Sequence, residues 1–124
     1  MFHIFRSGTT YDLTYYNAQG TISGFTLVNF FQNLDNQWIH VVIVIDYPNK
    51  RGYGYRNGIQ FDTTKTISGT PVFPSTNDEK YFGKFWTAPA FLTDGSLDEV
   101  RIYNRRLSAE EVAARYNSTR GRYQ

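Results

Sequence analysis

Apolar and polar residues alternate in short runs through most of the chain, and turn-forming residues separate the runs. A period of two is typical of β-strands, and nothing before residue 107 keeps a helical spacing long enough to compete. The pattern therefore predicts a chain made mainly of strands. The predicted strands are Phe2–Arg6, Tyr11–Tyr16, Gly20–Phe30, Trp38–Tyr47, Gly52–Arg56, Ile59–Thr66, Lys80–Phe85 and Leu97–Tyr103.

The predicted strand from Trp38 to Tyr47 carries apolar residues on both of its faces. A strand with one solvated face would alternate cleanly, so we expect this one to be central in its sheet and covered on both sides. His40 falls within it, either as a ligand or acid–base group, or as a packed side chain bonded to a neighbour. Packing is the favoured interpretation, because no second histidine lies near it in the sequence.

Turn signals mark two connections between the strands. Asn57-Gly58 stands between two β-prone runs, and both residues tolerate the positive φ of a type I′ turn, so a hairpin is predicted there. The run GTPVFPSTNDEK, residues 69–80, contains two prolines and a polar cluster. It is interpreted as a loop that crosses from one sheet to the other.

The C-terminal region predicts one helix. Ser108 followed three residues later by Glu111 forms a capping box ahead of an apolar position. The helix from Ala109 to Tyr116 spans about two turns and is too short to be stable alone. We therefore expect Val112 and Tyr116 to dock it onto the sheets, where it closes an open end of the core.

Composition narrows the class of protein. The 124 residues and 14.4 kDa fit one domain, and aromatic residues make up 18% of them, which favours β-structure. The absence of cysteine excludes disulfides, cysteine–zinc sites and a thiol nucleophile, but leaves the compartment open. The longest aliphatic run, Val41 to Ile45, is far below the ~20 residues of a membrane helix, so no membrane span is expected.

Charge is unevenly distributed along the chain. The net charge is +2, and the part after residue 100 has six arginines against two glutamates. Such an end can touch nucleic acid or an acidic partner, but arginine-rich ends are more often solvated. Nucleic acid is disfavoured as a partner, because the arginines lie away from the aromatic strands. The arginines are Arg101, Arg105, Arg106, Arg115, Arg120 and Arg122.

A series of motifs resembles the C-terminal half of laminin-G-like domains, which belong to the concanavalin A-like lectin/glucanase superfamily. The motifs are Trp38-x-His40-Val41, then Asn57-Gly58, then Tyr81-Phe82-Gly83, and last the segment GSLDEVRIYNRRLSAEE, which begins at Gly95. The last block is the specific part. The resemblance implies an all-β fold, an antiparallel β-sandwich of the concanavalin A-like jelly-roll type with one short C-terminal helix.

The resemblance also implies a domain organisation. Residues 1–117 would form the laminin-G-like jelly roll, and residues 118–124 a basic C-terminal tail. Members of the family usually begin with further strands, so this chain would be either a pared-down jelly roll or a sandwich incomplete on its N-terminal side, whose missing edge another chain supplies. An open sheet edge favours association, which predicts a homo-oligomer or a partner chain that completes the edge.

Enzymatic activity is not predicted. Glycoside hydrolysis needs two carboxyl groups that converge on one sugar bond, and the Glu-x-Asp-x-x-Glu pattern of the laminarinase-like relatives is absent. Asp98-Glu99 and Glu110-Glu111 are adjacent pairs, which do not converge on a strand or a helix. No Gly-x-Ser-x-Gly elbow is present to present a serine nucleophile.

Calcium is the metal that the resemblance implies. In related jelly rolls the aspartate that opens the strand matching LDEVR often binds structural calcium, and that role falls on Asp98. Asp94 could add a second carboxylate, since calcium takes hard oxygen ligands. The alternative is that Asp98 accepts backbone hydrogen bonds at the start of a strand, and this alternative is favoured.

Ligand binding is the favoured chemistry. Aromatic faces stack on sugar rings and planar polar groups bond to their hydroxyls, and candidates occur on the hairpin and in a later loop. For each of them, packing in the core is the competing interpretation. The candidates are Tyr53, Tyr55, Arg56, Asn57 and Trp86.

Two functions remain open from the sequence. The first is a non-catalytic binding or adhesion module that recognises a glycan or a protein surface. The second is a structural jelly-roll subunit of a larger assembly, such as a virion or a cell-surface structure. Both favour an extracellular, cell-surface or virion location over the cytoplasm.

Overall fold

A computed structural model of the protein describes residues 2–7, 11–17, 23–68 and 96–123, and every structural statement below is confined to them. Six of the predicted strands are present, Ile59–Thr66 with the predicted ends and the other five with shifted ends. The predicted strand Lys80–Phe85 and the predicted loop 69–80 lie outside the described residues. The elements are β1 (Phe2–Ser7), β2 (Asp12–Asn17), β3 (Ser23–Leu27), β4 (Val41–Asp46), β5 (Arg51–Arg56), β6 (Ile59–Thr66), α1 (Ala109–Thr119) and a 3₁₀ turn (Arg120–Arg122).

The strands form two antiparallel sheets of three strands each, ordered β1-β2-β3 and β4-β5-β6. This confirms the predicted antiparallel sandwich with one C-terminal helix. Within the described sheet β4 lies at the edge and β5 in the middle, which differs from the central position expected for the strand from Trp38 to Tyr47.

The inner core lies between the two sheets. Gly52 and Gly54 of β5 face it, and a methyl group built at Gly54 would lie 2.0 Å from Leu27 Cδ1. Glycine in this strand thus lets the sheets approach closely. The buried side chains of this core are Leu13, Tyr15, Phe25, Leu27, Phe30 and Ile67.

A second apolar cluster covers the opposite face of β4 and β5. Val44 and Tyr55 pack there against Leu107 and against Val112 of α1, which is fully buried. The strand β4 is therefore covered on both faces, and the helix docks through Val112, as the sequence predicts. Tyr116 also docks, because its side chain lies 2.9 Å from the position of a methyl group at Gly58.

The capping box and the hairpin both form. Ser108 Oγ accepts a hydrogen bond from the Glu111 N–H at 3.2 Å, and a Glu111 carboxylate oxygen accepts one from the Ser108 N–H at 2.9 Å. The helix ends at Thr119, three residues beyond the predicted end. Asn57 and Gly58 take φ values of 52° and 80°, as a type I′ turn requires.

The predicted strand Leu97–Tyr103 is wrong: the described residues 96–108 contain no regular secondary structure. A strand needs a neighbour for its backbone hydrogen bonds, and none of the described strands pairs with this segment. Glu99 takes a φ of 54°, which interrupts the extended backbone. As for the membrane, the described residues hold no helix of the length and apolarity that a crossing would need.

Candidate ligand-binding site

A concave site of about 190 Å³ lies on the outer face of β5, where the chain enters α1. It combines two aromatic side chains, one cationic side chain and the first residues of the helix. Its lining residues are Tyr53, Tyr55, Arg106, Leu107, Ser108 and Ala109.

The alternation of β5 places its two tyrosines in this site. In the sequence RGYGYR the glycines face the inner core, so Tyr53 and Tyr55 face the helix side. Tyr55 is only 5% exposed, and burial raises the pKa of its hydroxyl above the usual value of 10.0. The hydroxyl is therefore protonated at neutral pH, and it can both donate and accept a hydrogen bond.

Arg106 forms an ion pair at the edge of the site. Its Nη1 donates to Asp46 Oδ2 at 2.9 Å, and Asp46 is 8% exposed whereas the Arg106 side chain is 58% exposed. Hydrogen bonds from Asn49, and then the charge of Arg106, hold the pKa of Asp46 below its usual value. The pair thus carries no net charge while leaving guanidinium donors open to solvent.

A second ion pair fixes the start of the helix. Arg105 donates to both carboxylate oxygens of Glu111, at 2.9 and 2.6 Å. These bonds, together with the one from the Ser108 N–H, lower the pKa of Glu111 to about 2. The capping residues that line the site are therefore held in one geometry.

The structure brings two of the predicted ligand residues together and places two others elsewhere. Tyr53 and Tyr55 line the same concavity. Arg56 instead donates to the Phe30 carbonyl at 2.8 Å, and Asn57 Oδ1 accepts from the His40 N–H at 3.0 Å. Trp86 lies outside the described residues. Ligand contact by any of the five residues stays a prediction.

The other half of the site was not predicted from the sequence. Arg106 and Leu107 lie far from β5 in the chain, and periodicity reports only local structure. The one usable signal was the capping box at Ser108, because a short helix that must dock brings its first turn against a sheet.

The predicted metal ligands have other roles where they are described. Asp98 Oδ1 accepts from the Glu99 N–H at 2.7 Å, and Asp98 Oδ2 accepts from the Tyr123 hydroxyl at 2.6 Å. The described residues contain no group of three or more His, Cys, Asp or Glu side chains that could hold a metal ion. Asp94 lies outside the described residues, so the calcium site stays a prediction.

His40 is a packed side chain in this structure. Its ring lies 5.9 Å from the Tyr116 ring, and burial lowers its pKa below 6.5. Its Nδ1 has no hydrogen-bond partner within the described residues. The histidine therefore belongs to the contact between α1 and the hairpin rather than to the concave site.

Comparison with solved structures supports the fold. An S-layer domain-containing protein (residues 221–444) from Clostridium thermocellum ATCC 27405 is similar with a TM-score of 0.52 and 20% identity. The alignment covers 86% of this chain and 52% of that one, so this chain spans about half the length of that structure. At this identity the likeness shows the fold alone. A search of curated proteins gives no match.

Comparison with protein families gives a match over most of the chain. A laminin G-type family model, described as Concanavalin A-like lectin/glucanases superfamily, matches residues 1–113. This agrees with the two antiparallel sheets and with the motifs from Trp38 to Glu111. The chain therefore belongs to the laminin-G-like domains of the concanavalin A-like lectin/glucanases superfamily.

Proposed function

We propose that this protein is a non-catalytic binding module that holds a neutral sugar in the concavity between β5 and α1. One observation carries the proposal: Tyr53 and Tyr55 lie in the same concavity as a guanidinium that is already neutralised. Aromatic rings stack on the C–H faces of a pyranose, and planar polar groups bond to its hydroxyls.

The charge and size of the site define the ligand further. The pairing of Arg106 with Asp46 removes the net charge that an acidic sugar would need, yet it leaves donors for hydroxyl groups. The volume of about 190 Å³ is below the roughly 300–1,000 Å³ of sites that enclose a drug-sized ligand. We therefore expect one sugar residue to enter, at the end of a glycan or at a branch.

We propose binding without turnover because the pKa values of the carboxyl groups of Glu111, Asp46 and Asp98 are lowered rather than raised. A glycosidase needs one carboxyl group with a raised pKa as its general acid. The Glu111 carboxylate accepts a hydrogen bond from the lining residue Ser108 at 2.9 Å, and the Arg105 contact lowers its pKa to about 2. A hydrogen bond from Asn49 likewise lowers the pKa of Asp46. A hydrogen bond from the Tyr123 hydroxyl lowers the pKa of Asp98.

The test is a glycan array followed by calorimetric titration of the best neutral oligosaccharide. We expect saturable binding that Tyr53→Ala weakens at least about tenfold, because loss of a stacking ring removes on the order of 1.4 kcal/mol or more. Arg106→Gln should weaken it as well, and because this change removes the partner of the buried Asp46, circular dichroism is used to check that the variant is folded.

Tyr103→Ala is the matched control, since it removes a tyrosine from the segment outside the concavity. It should bind as the unchanged protein does. An array that shows no saturable binding, or binding confined to acidic glycans, would contradict the proposal. So would equal affinities of the Tyr53→Ala and Tyr103→Ala variants.

A structural role in a larger assembly is the second candidate, and it depends on a different feature. The side chains of Leu97, Val100 and Ile102 are exposed by 62%, 52% and 76%. Exposed apolar groups in a row favour contact with another chain. We propose an extracellular or cell-surface location for either role, in keeping with the lectin-type superfamily of the chain.

A further inference from the structure

The segment Leu97–Tyr103, here called the LDEVRIY segment, has the sequence of a strand without the structure of one. From Glu99 to Ile102, charged and apolar residues alternate as in a half-buried strand. In the structure the segment is irregular, and its apolar side chains are exposed, up to 76% at Ile102. A sequence built for pairing thus lies on the surface.

The contacts that hold the segment in its present shape are superficial. Glu99 bonds to Arg101 at 2.5 Å and to Arg122 at 2.8 Å, and these arginine side chains are 50% and 65% exposed. Exposed ion pairs contribute little to stability. Glu99 also sits at a φ of 54°, which is unfavourable for a residue other than glycine. An extended alternative would relieve this backbone strain, at the cost of the Asp98–Tyr123 hydrogen bond and of the contact of Arg115 with the Tyr103 ring.

The segment is complementary to itself. If two copies pair antiparallel with Val100 opposite Val100, Glu99 of each copy lies opposite Arg101 of the other. In the same register Leu97 lies opposite Tyr103, and Asp98 lies opposite Ile102. Cross-strand neighbours of opposite charge, and apolar side chains opposite aromatic ones, are the pairs that stabilise antiparallel sheets.

We propose that two copies of this protein associate by pairing their LDEVRIY segments antiparallel about Val100. Charge disfavours the registers that lie two residues away. A shift by two residues in one direction places Glu99 opposite Glu99, and such a shift in the other direction places Arg101 opposite Arg101, and like charges directly opposite each other are destabilising. Charge complementarity thus favours a second copy as the occupant, and the tests below separate this register from the one shifted by a single residue, in which Asp98 lies opposite Arg101.

This interface does not depend on the proposed sugar site. None of the residues that line the concavity belongs to the LDEVRIY segment. Failure of one proposal therefore leaves the other standing, and each has its own measurement.

The first test is sedimentation equilibrium of the unchanged protein and two charge variants. We expect a concentration-dependent dimer that Glu99→Arg and Arg101→Glu each weaken at least about tenfold, since each turns both Glu–Arg contacts into like-charge contacts. Mixing the two variants should restore the dimer, because every contact at these positions then joins a Glu to an Arg. Contacts within one chain cannot produce that rescue.

Arg120→Glu is the matched control, because it makes the same change of charge at an exposed residue of the 3₁₀ turn. It should dimerise normally by itself and should not rescue Glu99→Arg. A monomer at every concentration would overturn the proposal. The proposal would also be overturned if neither charge change weakened the dimer, or if mixing the two variants did not restore it.

The second test reads the register directly and uses the absence of cysteine from the chain. In an antiparallel pair centred on residue 100, the two Cα atoms lie about 4.5–5.5 Å apart, within reach of a disulfide. Val100→Cys should therefore form a covalent dimer under mild oxidation. Ile59→Cys, at a position that is 75% exposed on β6, is the control. Equal cross-linking of both variants would count against the register.

Discussion

At the scale of single residues, the glycines of β5 decide how the two sheets meet. A methyl group at Gly52 would lie 2.1 Å from the ring of Phe25, and one at Gly54 would lie 2.0 Å from Leu27. Because the glycines alternate with Tyr53 and Tyr55, the bulky tyrosine side chains lie on the helix side of the strand. The same RGYGYR pattern thus makes a close inner contact and an aromatic outer surface.

The first prediction concerns Gly54→Ala. The added methyl group must displace Leu27, so we expect the free energy of unfolding to fall by about 1–3 kcal/mol. Equilibrium denaturation measures it. Gly121→Ala is the control, because nothing lies within 4 Å of a methyl group there. Similar losses in the two variants would show that the cause is glycine chemistry and not packing between the sheets.

At the scale of elements, the sequence-based predictions were confirmed where the structure depends on residues close together in the chain. The Asn57-Gly58 turn and the Ser108–Glu111 capping box formed as predicted, because each depends on residues a few positions apart. The segment Leu97–Tyr103 has an equally good strand pattern, but a strand is completed by a neighbour. Its residue pattern therefore indicated that the segment can form a strand, but it did not indicate whether a neighbouring strand is available.

The second prediction belongs to this scale and concerns the pH dependence of the helix cap. In the folded protein the pKa of Glu111 is about 2, against a usual value of 4.5. The ionised Glu111 carboxylate therefore stabilises the protein fully above pH 4.5. This contribution is lost as the pH falls from 4.5 toward 2. The stability difference between the unchanged protein and Glu111→Gln should therefore shrink across that window, as followed by thermal unfolding.

Arg105→Ala provides the check on cause, because the Arg105 contact is the main source of the lowered pKa. It should flatten the same part of the stability profile. A difference between the unchanged protein and Glu111→Gln that stays constant with pH would exclude the capping carboxylate as its origin.

At the scale of the molecule, the candidate site joins parts of the chain that no local pattern connects. The sequence suggested Tyr53 and Tyr55, because aromatic residues beside a predicted hairpin are visible in it. Arg106 and Leu107 reach the same place only through the docking of α1 on β4 and β5. The tyrosines could be predicted from the strand pattern, whereas the position of Arg106 and Leu107 in the site follows only from the tertiary fold.

The same docking makes the two apolar clusters interdependent. The strands β4 and β5 contribute to the inner core with one face and to the cluster beneath α1 with the other. Leu27→Ala should lower the free energy of unfolding by about 2–5 kcal/mol, and Val112→Ala by about 2 kcal/mol. In each variant the far-UV and near-UV circular dichroism midpoints should fall together, because a shared sheet cannot lose one cover and keep its register against the other. If Val112→Ala separated the two midpoints, the helix would unfold apart from the sheets, and the concavity at its first turn would not be a fixed site.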